Sequence, residues 1–190
     1  MDKRLTKDLV KIGKKIHRLG LVIGEGGNIS ARCGHVVYIK RRNASMAAGK
    51  TADYIPVDAN TGKPIGHKCK PSTEVPMHLA CYRARKDVKA VVHTHPIFVT
   101  AMGISGISFK SLSYETRVYL KSSIAAVPYI KPGSAALGRA VGKAIKKHNA
   151  VILKNHGLIT VGKDIKEAFL RTLAAERAVM IYTFSRMLEK

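Results

Sequence analysis

No run of about 18 consecutive apolar residues occurs in this 190-residue sequence, which excludes a membrane-spanning helix. Cysteine is scarce. Cys33, Cys69 and Cys81 are odd in number and form no CxxC pair, a usage that suits a reducing cytoplasm better than a disulfide scaffold. The opening stretch "MDKRLTKDLVKIGKKIH" has charges throughout and lacks the apolar core of a secretory leader, so a cytoplasmic location is expected. Linkers, internal repeats and low-complexity tracts are also missing, which leaves residues 1–190 as one expected domain with a sizeable core. Acidic residues are few: 12 Asp and Glu face 34 Lys and Arg, a formal net charge of +22. Yet no nucleic-acid motif accompanies that charge, and aromatics make up only 6% of the chain. The basic residues are dispersed, densest in "KRR" at 40–42, in "KAIKKH" at 143–148 and in the first helix. A dispersed cationic surface attracts anions of any kind, so steering of a phosphorylated metabolite is the better reading, and nucleic acid is not an expected partner.

What is present is an interleaving of helix and strand patterns. Leu5, Leu9, Ile12, Ile16 and Leu19 recur at spacings of three and four, one face of a helix that Gly20 stops. "HVVYIKR" at 35–41, "DYIPVD" at 53–58, "VKAVVHTH" at 88–95 and "SIAAVPYI" at 123–130 read as strands. "PSTEVPMHLACYRAR" opens a helix that Ser72 or Thr73 can cap, with Glu74 in its first turn. Ser134 can cap a helix carrying Leu137, Val141 and Ile145 on one stripe. "AVILKNHGLITVG" reads as strand, turn and strand, and Asp164 with Glu167 forms a capping box for the last helix. This order predicts an α/β or α+β domain with helices covering a central sheet.

The chemistry gathers in three places. His93 and His95 sit two apart at the end of an apolar run, so on a strand their rings share a face. Zinc–imidazole bonds of about 2.0–2.1 Å let two such rings converge on one ion. His156 in "KNHGLI" ends another apolar run and is the best third ligand, with Gly157 after it for a tight turn. Of the other histidines, His17 and His148 fall in basic helices, His35 starts a strand, His67 lies in a turn, and His78 reads as packing or surface. "GEGGNIS" is a glycine-rich turn whose backbone N–H groups can surround an anion, with Asn28 and Ser30 adding polar side chains. "KPSTE" places the Ser72 and Thr73 hydroxyls at a helix start, which favours phosphate. Glu74 beside such a site can move a proton.

Taken in order, "GGNIS", "PSTE", "HTH" and "NHG" resemble the class II aldolase/adducin-head family over nearly the whole chain. The resemblance implies a three-layer α/β/α domain with a mostly antiparallel central sheet. It implies a homotetramer and a phosphorylated sugar substrate. By the same resemblance His93, His95 and His156 fall on the metal ligands, for Zn2+ or another divalent transition metal. Glu74 falls on the catalytic acid/base, Gly27, Asn28, Ser72 and Thr73 on the phosphate-binding positions, and Tyr114 on a tyrosine that handles the aldehyde half. The implied reaction is reversible cleavage of a ketose 1-phosphate, such as a fuculose 1-phosphate, to dihydroxyacetone phosphate and an aldehyde. A Lewis acid would stabilise the carbanion equivalent left by the broken bond. Sugar-phosphate 4-epimerases and dehydratases share the three-histidine set. The adducin head keeps the fold but loses those histidines, so their presence here favours an enzyme.

The sequence also departs from the family pattern. Arg42 and Asn43 stand where many aldolases have a Thr-Gly pair; Arg42 either replaces neutral donors with a charged fork or is a solvated surface charge, and the second reading is slightly favoured. Glu25 occupies a position usually held by a small or hydroxyl residue. Longer relatives carry a tail beyond the position of Lys190 that reaches a neighbour's site.

Overall fold

Alternating side chains build the centre of the molecule. Val91 packs to one side of the strand that carries it, and Ala90 and Val92 pack to the other. The fold is that of a computed structural model, which describes residues 2–66, 69–107, 113–114, 116–121 and 123–189. The strands are β1 (Asn28–Cys33), β2 (Val36–Lys40), β3 (Tyr54–Asp58), β4 (Ala90–Thr94), β5 (Ala125–Val127), β6 (Ala150–Leu153) and β7 (Gly157–Gly162). They form one seven-stranded sheet in the order β3-β2-β1-β4-β7-β6-β5. Among the described residues β5–β6 pair parallel, and the other neighbours pair antiparallel. The expected mostly antiparallel sheet is therefore present.

Among the described residues five α-helices accompany it: α1 (Lys3–Arg18), α2 (Val75–Ala84), α3 (Ile97–Ser105), α4 (Ala135–Ile145) and α5 (Ile165–Leu188). Leu79 and Cys81 of α2 and Leu137, Val141 and Ile145 of α4 pack on Val37, Ile55, Val91, Ile159 and Val161. Leu9, Ile12 and Ile16 of α1 join Ala168 and Phe169 of α5 against Ile29, Ala31 and Val92. Helices thus cover both faces, giving the three layers. Burying a large aliphatic side chain contributes about 1.5–3 kcal/mol each, so these two seams hold the sheet.

The caps explain where the helices begin. Asp2 accepts from the Arg4 and Leu5 amides, and Ser134 accepts from the Leu137 amide. Asp164 accepts from the Glu167 amide, while Glu167 reaches back to the Lys163 amide rather than to that of Asp164. Three expectations are corrected. Leu19 ends α1 and is 54% exposed, so the apolar stripe stops at Ile16. Glu74 precedes α2 instead of lying in its first turn, and Ser72 accepts from the Glu74 amide two residues on. The strand expected over 123–130 is confined to Ala125–Val127. β1 and α3 were not anticipated. α3 is apolar nearly all round and follows Pro96, and the Glu176 carboxylate of α5 accepts from the Phe98 and Val99 amides at its start. His67, expected in a turn, lies outside the described residues.

Candidate metal centre and its cleft

The antiparallel pairing of β1 with β4 puts Asn28 opposite His93, in the middle of the sheet. Gly27 makes that approach possible. Its φ is +63°, and a Cβ there would lie 2.7 Å from the His93 carbonyl oxygen and 2.6 Å from a Val22 methyl. His93 is 1% exposed, and its Nδ1–H donates to the Leu158 carbonyl at 3.0 Å. That bond leaves Nε2 as a bare lone pair. His95 lies one residue past the end of β4 and is held by its amide, which donates to the Leu21 carbonyl at 2.9 Å. His156 sits in the short turn joining β6 to β7, after Asn155 in the left-handed region at φ 56°. Gly157 lets that turn close on β4: a Cβ would fall 2.3 Å from the Thr94 carbonyl oxygen and 2.9 Å from His95.

Three rings from two segments therefore converge. Their centroids are 4.7, 4.9 and 5.3 Å apart, and one ligand nitrogen from each lies within 4.8 Å of the others. The Nε2 atoms of His93 and His95 are 3.2 Å apart. Two nitrogens bound tetrahedrally to one zinc at about 2.0–2.1 Å would be about 3.3 Å apart. Burial depresses all three pKa values. His93 is pushed well below its usual range, also by the neighbouring rings, and His156 falls to about 4. At neutral pH the rings are uncharged, the form that ligates metal. The His156 Nδ1 is buried with no hydrogen-bond partner, which a folded protein seldom leaves unexplained. The donor set fits a divalent transition ion such as zinc.

These histidines line a cleft of about 180 Å³ together with Gly27, Asn28, Ser72, Thr73 and Glu74. Glu74 is 5% exposed, and its Oε2 has no partner. Burial raises its pKa, while a hydrogen bond from the Gly133 amide opposes the shift. Such a carboxyl is poised nearer neutrality than an exposed one, which suits proton transfer.

Of the residues expected at the site, eight share this cleft. Tyr114 does not line it and is 78% exposed. Arg42, read as a surface charge, does line it, as do Glu25 and Asn43. Asn43 takes φ 57°, a left-handed conformation that glycine and asparagine tolerate best. The residue that sequence reasoning missed is Lys40. It ends β2, is 4% exposed, and its ammonium donates to the Glu25 and Ala44 carbonyls at 2.8 and 2.6 Å. It ties the glycine turn to the 41–45 loop and brings a buried cation to the cleft wall. Its signal was there in a charge at the end of an otherwise apolar strand. His78, expected to pack or face solvent, is fully buried and hydrogen-bonded. A larger groove of about 490 Å³ between α2 and α4 is lined by small residues and by Arg83, Arg139, Lys143 and Lys146. It holds no histidine or carboxylate and so offers no comparable chemistry.

Comparison with known proteins gives a consistent picture. The profile of the class II aldolase and adducin N-terminal domain matches residues 7–183. An L-fuculose phosphate aldolase of Methanococcus maripaludis is 35% identical over 92% of this chain and 93% of its own length. One from Methanocaldococcus jannaschii is 30% identical over the full length of both. A 5-methylthioribulose-1-phosphate/5-deoxyribulose-1-phosphate aldolase of Escherichia coli is 31% identical over 86% of this chain and 76% of its own. Among solved structures, an L-fuculose 1-phosphate aldolase superposes with TM-score 0.90 at 24% identity, covering 100% of this chain and 90% of its own. YgbL of Klebsiella pneumoniae, described as a putative aldolase/epimerase/decarboxylase, gives 0.88 at 24%, covering 95% and 89%. At these identities the two structures speak for the fold.

Proposed function

This chain belongs to the class II aldolase and adducin N-terminal domain family, and from that premise we propose that it is a metal-dependent aldolase that cleaves a ketose 1-phosphate to dihydroxyacetone phosphate and an aldehyde. One observation carries the reading: three neutral imidazoles and a buried carboxyl with an unpartnered oxygen share one small, basic cleft. His93, His95 and His156 would hold the ion. When bound, a zinc-like dication supplies a Lewis acid that stabilises negative charge developing beside the substrate carbonyl. Glu74 takes a proton from the hydroxymethyl carbon of dihydroxyacetone phosphate in synthesis and returns it in cleavage. Gly27, Asn28, Ser72 and Thr73 hold the phosphate, and the Lys40 ammonium and Arg42 supply positive charge to it. Fixing the phosphate fixes the reacting carbons against Glu74, which turns binding into orientation. Relatives named for fuculose, deoxyribulose and methylthioribulose phosphates share the ketose-1-phosphate end, and this reading rests on that end.

The same reading includes a homotetramer in the cytoplasm. Ile23 is 89% exposed and Ile97 73%, each close in sequence to cleft residues, and a second copy would cover such apolar groups. Tyr114 has no place in this chain's own cleft, so its role with the aldehyde half requires a neighbouring subunit's site. Cys33 and Cys69 are exposed and Cys81 is buried, all free, as a reducing compartment favours. Among the described residues no helix is long and apolar enough to cross a membrane.

Metal analysis tests the centre. About one divalent ion per chain is expected in the purified protein, and little in a His93→Ala/His95→Ala variant; equal metal in both removes the assignment. Release of dihydroxyacetone phosphate from L-fuculose 1-phosphate, 5-deoxyribulose 1-phosphate and 5-methylthioribulose 1-phosphate tests the reaction. Turnover of none of them, with L-ribulose 5-phosphate epimerised instead, would replace the aldolase reading.

A further inference from the structure

A line of buried polar groups runs from α2 through β1 to the cleft. Tyr82 lies 2.7 Å from the Ser30 hydroxyl, which lies 2.7 Å from His78 Nδ1; His78 Nε2 lies 2.6 Å from Asn28 Oδ1. Tyr82 is 2% exposed, and Ser30 and His78 are fully buried. Nothing proposed for the reaction uses Tyr82, Ser30 or His78.

We infer that His78 is a positioning residue for the phosphate pocket: through its Nε2–H it turns the Asn28 amide so that the NH2 group, not the oxygen, faces the cleft. The inference rests on the phosphate role given to Asn28 above. Its basis is the polarity of the chain of hydrogen bonds. Burial keeps His78 neutral, with a pKa lowered to about 3, so the ring has one N–H to give. Asn28 Oδ1 can only accept, so the proton sits on Nε2. Nδ1 must then accept from the Ser30 O–H, and the Ser30 oxygen accepts from the Tyr82 O–H. Each proton along the line finds one acceptor, and the asparagine oxygen is committed inward. What remains for the cleft, which Asn28 lines, is a pair of N–H donors. The opposite polarity fails twice. It would turn a carbonyl oxygen toward a phosphate, and it would leave the Tyr82 O–H no acceptor, since Ser30 is the partner the described structure gives it. A histidine also does what a hydrocarbon of equal volume could not, because Ser30 and Asn28 would both be left unsatisfied in the core.

Two measurements test this. In 15N-histidine NMR of the intact protein, with the His78 signals identified by their loss in His78→Gln, Nε2 should carry the proton and Nδ1 should be bare from pH 5 to 8. A protonated Nδ1 overturns the inference. The second is calorimetric binding of inorganic phosphate. His78→Leu should bind it about tenfold to a hundredfold more weakly than wild type, the loss expected for a misdirected hydrogen bond to a charged ligand. His78→Gln, whose side-chain NH2 can still donate to Asn28, should keep most of the affinity. Equal affinity in a folded Leu variant overturns the inference and leaves the phosphate pocket standing. Failure of wild type to bind phosphate removes the pocket and the inference together. Should the Leu variant not fold, the tautomer and the Gln variant decide.

Discussion

The two sides of α2 do different work. On one side Glu74, His78 and Tyr82 follow at intervals of four, all buried and all polar, and they lead toward the cleft. On the other side Pro76 and Ala80 meet Gly138 and Gly142 of α4, and small residues let the two helices close. Polar groups in a core cost free energy unless satisfied, whereas small apolar residues cost little. A chain that keeps a carboxyl, an imidazole and a phenol on one buried stripe is therefore spending stability on chemistry, and the opposite stripe offsets it by packing.

Breaking the polar stripe at its end should give the largest effect. Glu74→Gln removes the proposed proton-transfer group and keeps the shape. Turnover of the best ketose 1-phosphate should fall about 10²- to 10⁴-fold, with metal content and melting temperature near wild type. Unchanged turnover takes Glu74 out of the reaction.

Acidification should damage the same stripe. The unfolded chain takes a proton on His78 below the ordinary 6.5, but the native state resists until about 3. Between those values the unfolded state binds more protons, so stability rises with pH and is lost as pH falls. At pH 5 this group alone accounts for about 2 kcal/mol. His156, lowered to about 4, adds in the same direction in the metal-free protein. Urea midpoints of wild type and His78→Gln between pH 7 and 5 measure it. Parallel curves would mean that His78 is not held neutral.

The packing stripe should respond in stability and not in rate. A Cβ on Gly138 would lie 2.9 Å from the Pro76 carbonyl oxygen, which is backbone and cannot swing aside. Overpacking costs about 1–3 kcal/mol, and the better helix propensity of alanine returns up to about 1. Gly138→Ala should thus lose about 1 kcal/mol by thermal melting while kcat stays within about twofold. A fall in kcat comparable to that of Glu74→Gln would show that the two sides are coupled through α2.

The same contrast explains what the sequence disclosed. His93, His95 and His156 were legible because each stands at the end of an apolar run where such residues are rare, whereas Glu74 was picked out by its place after Ser72 and Thr73 at a helix start and by the resemblance. The packing of α1, α4 and α5 followed from period and caps. β1 was hidden because "NISARC" carries no run of β-branched residues; its pairing with β2 and β4 makes it a strand. α3 was hidden because an apolar helix shows no stripe, and its start is satisfied from 78 residues away by Glu176. The roles of Lys40 and His78 were not legible for one reason. A lysine or histidine in the sequence defaults to the surface, and only three-dimensional neighbours show which ones are buried and hydrogen-bonded. Tyr114 was placed by resemblance alone, and this chain's fold leaves it outside the cleft.

The smallest expected effect is the most selective. Tyr82→Phe deletes the far end of the polar line and nothing else. In the direction argued above, the Tyr82 O–H is a donor to Ser30, and the Ser30 O–H still donates to His78 Nδ1 when it is gone. His78 keeps its proton on Nε2, and Asn28 keeps its NH2 group toward the cleft. The loss is one buried hydrogen bond between neutral groups, about 0.5–1 kcal/mol of stability, with phosphate affinity unchanged. If the line ran the other way, the Ser30 hydroxyl would need the Tyr82 oxygen as its acceptor. Its removal would then free Ser30 to donate to His78 Nδ1, move the ring proton to Nε2 and turn the Asn28 NH2 group to the cleft. A Tyr82→Phe variant whose phosphate affinity rises therefore reverses the polarity, whereas a small loss of stability with unchanged phosphate binding fixes it as drawn.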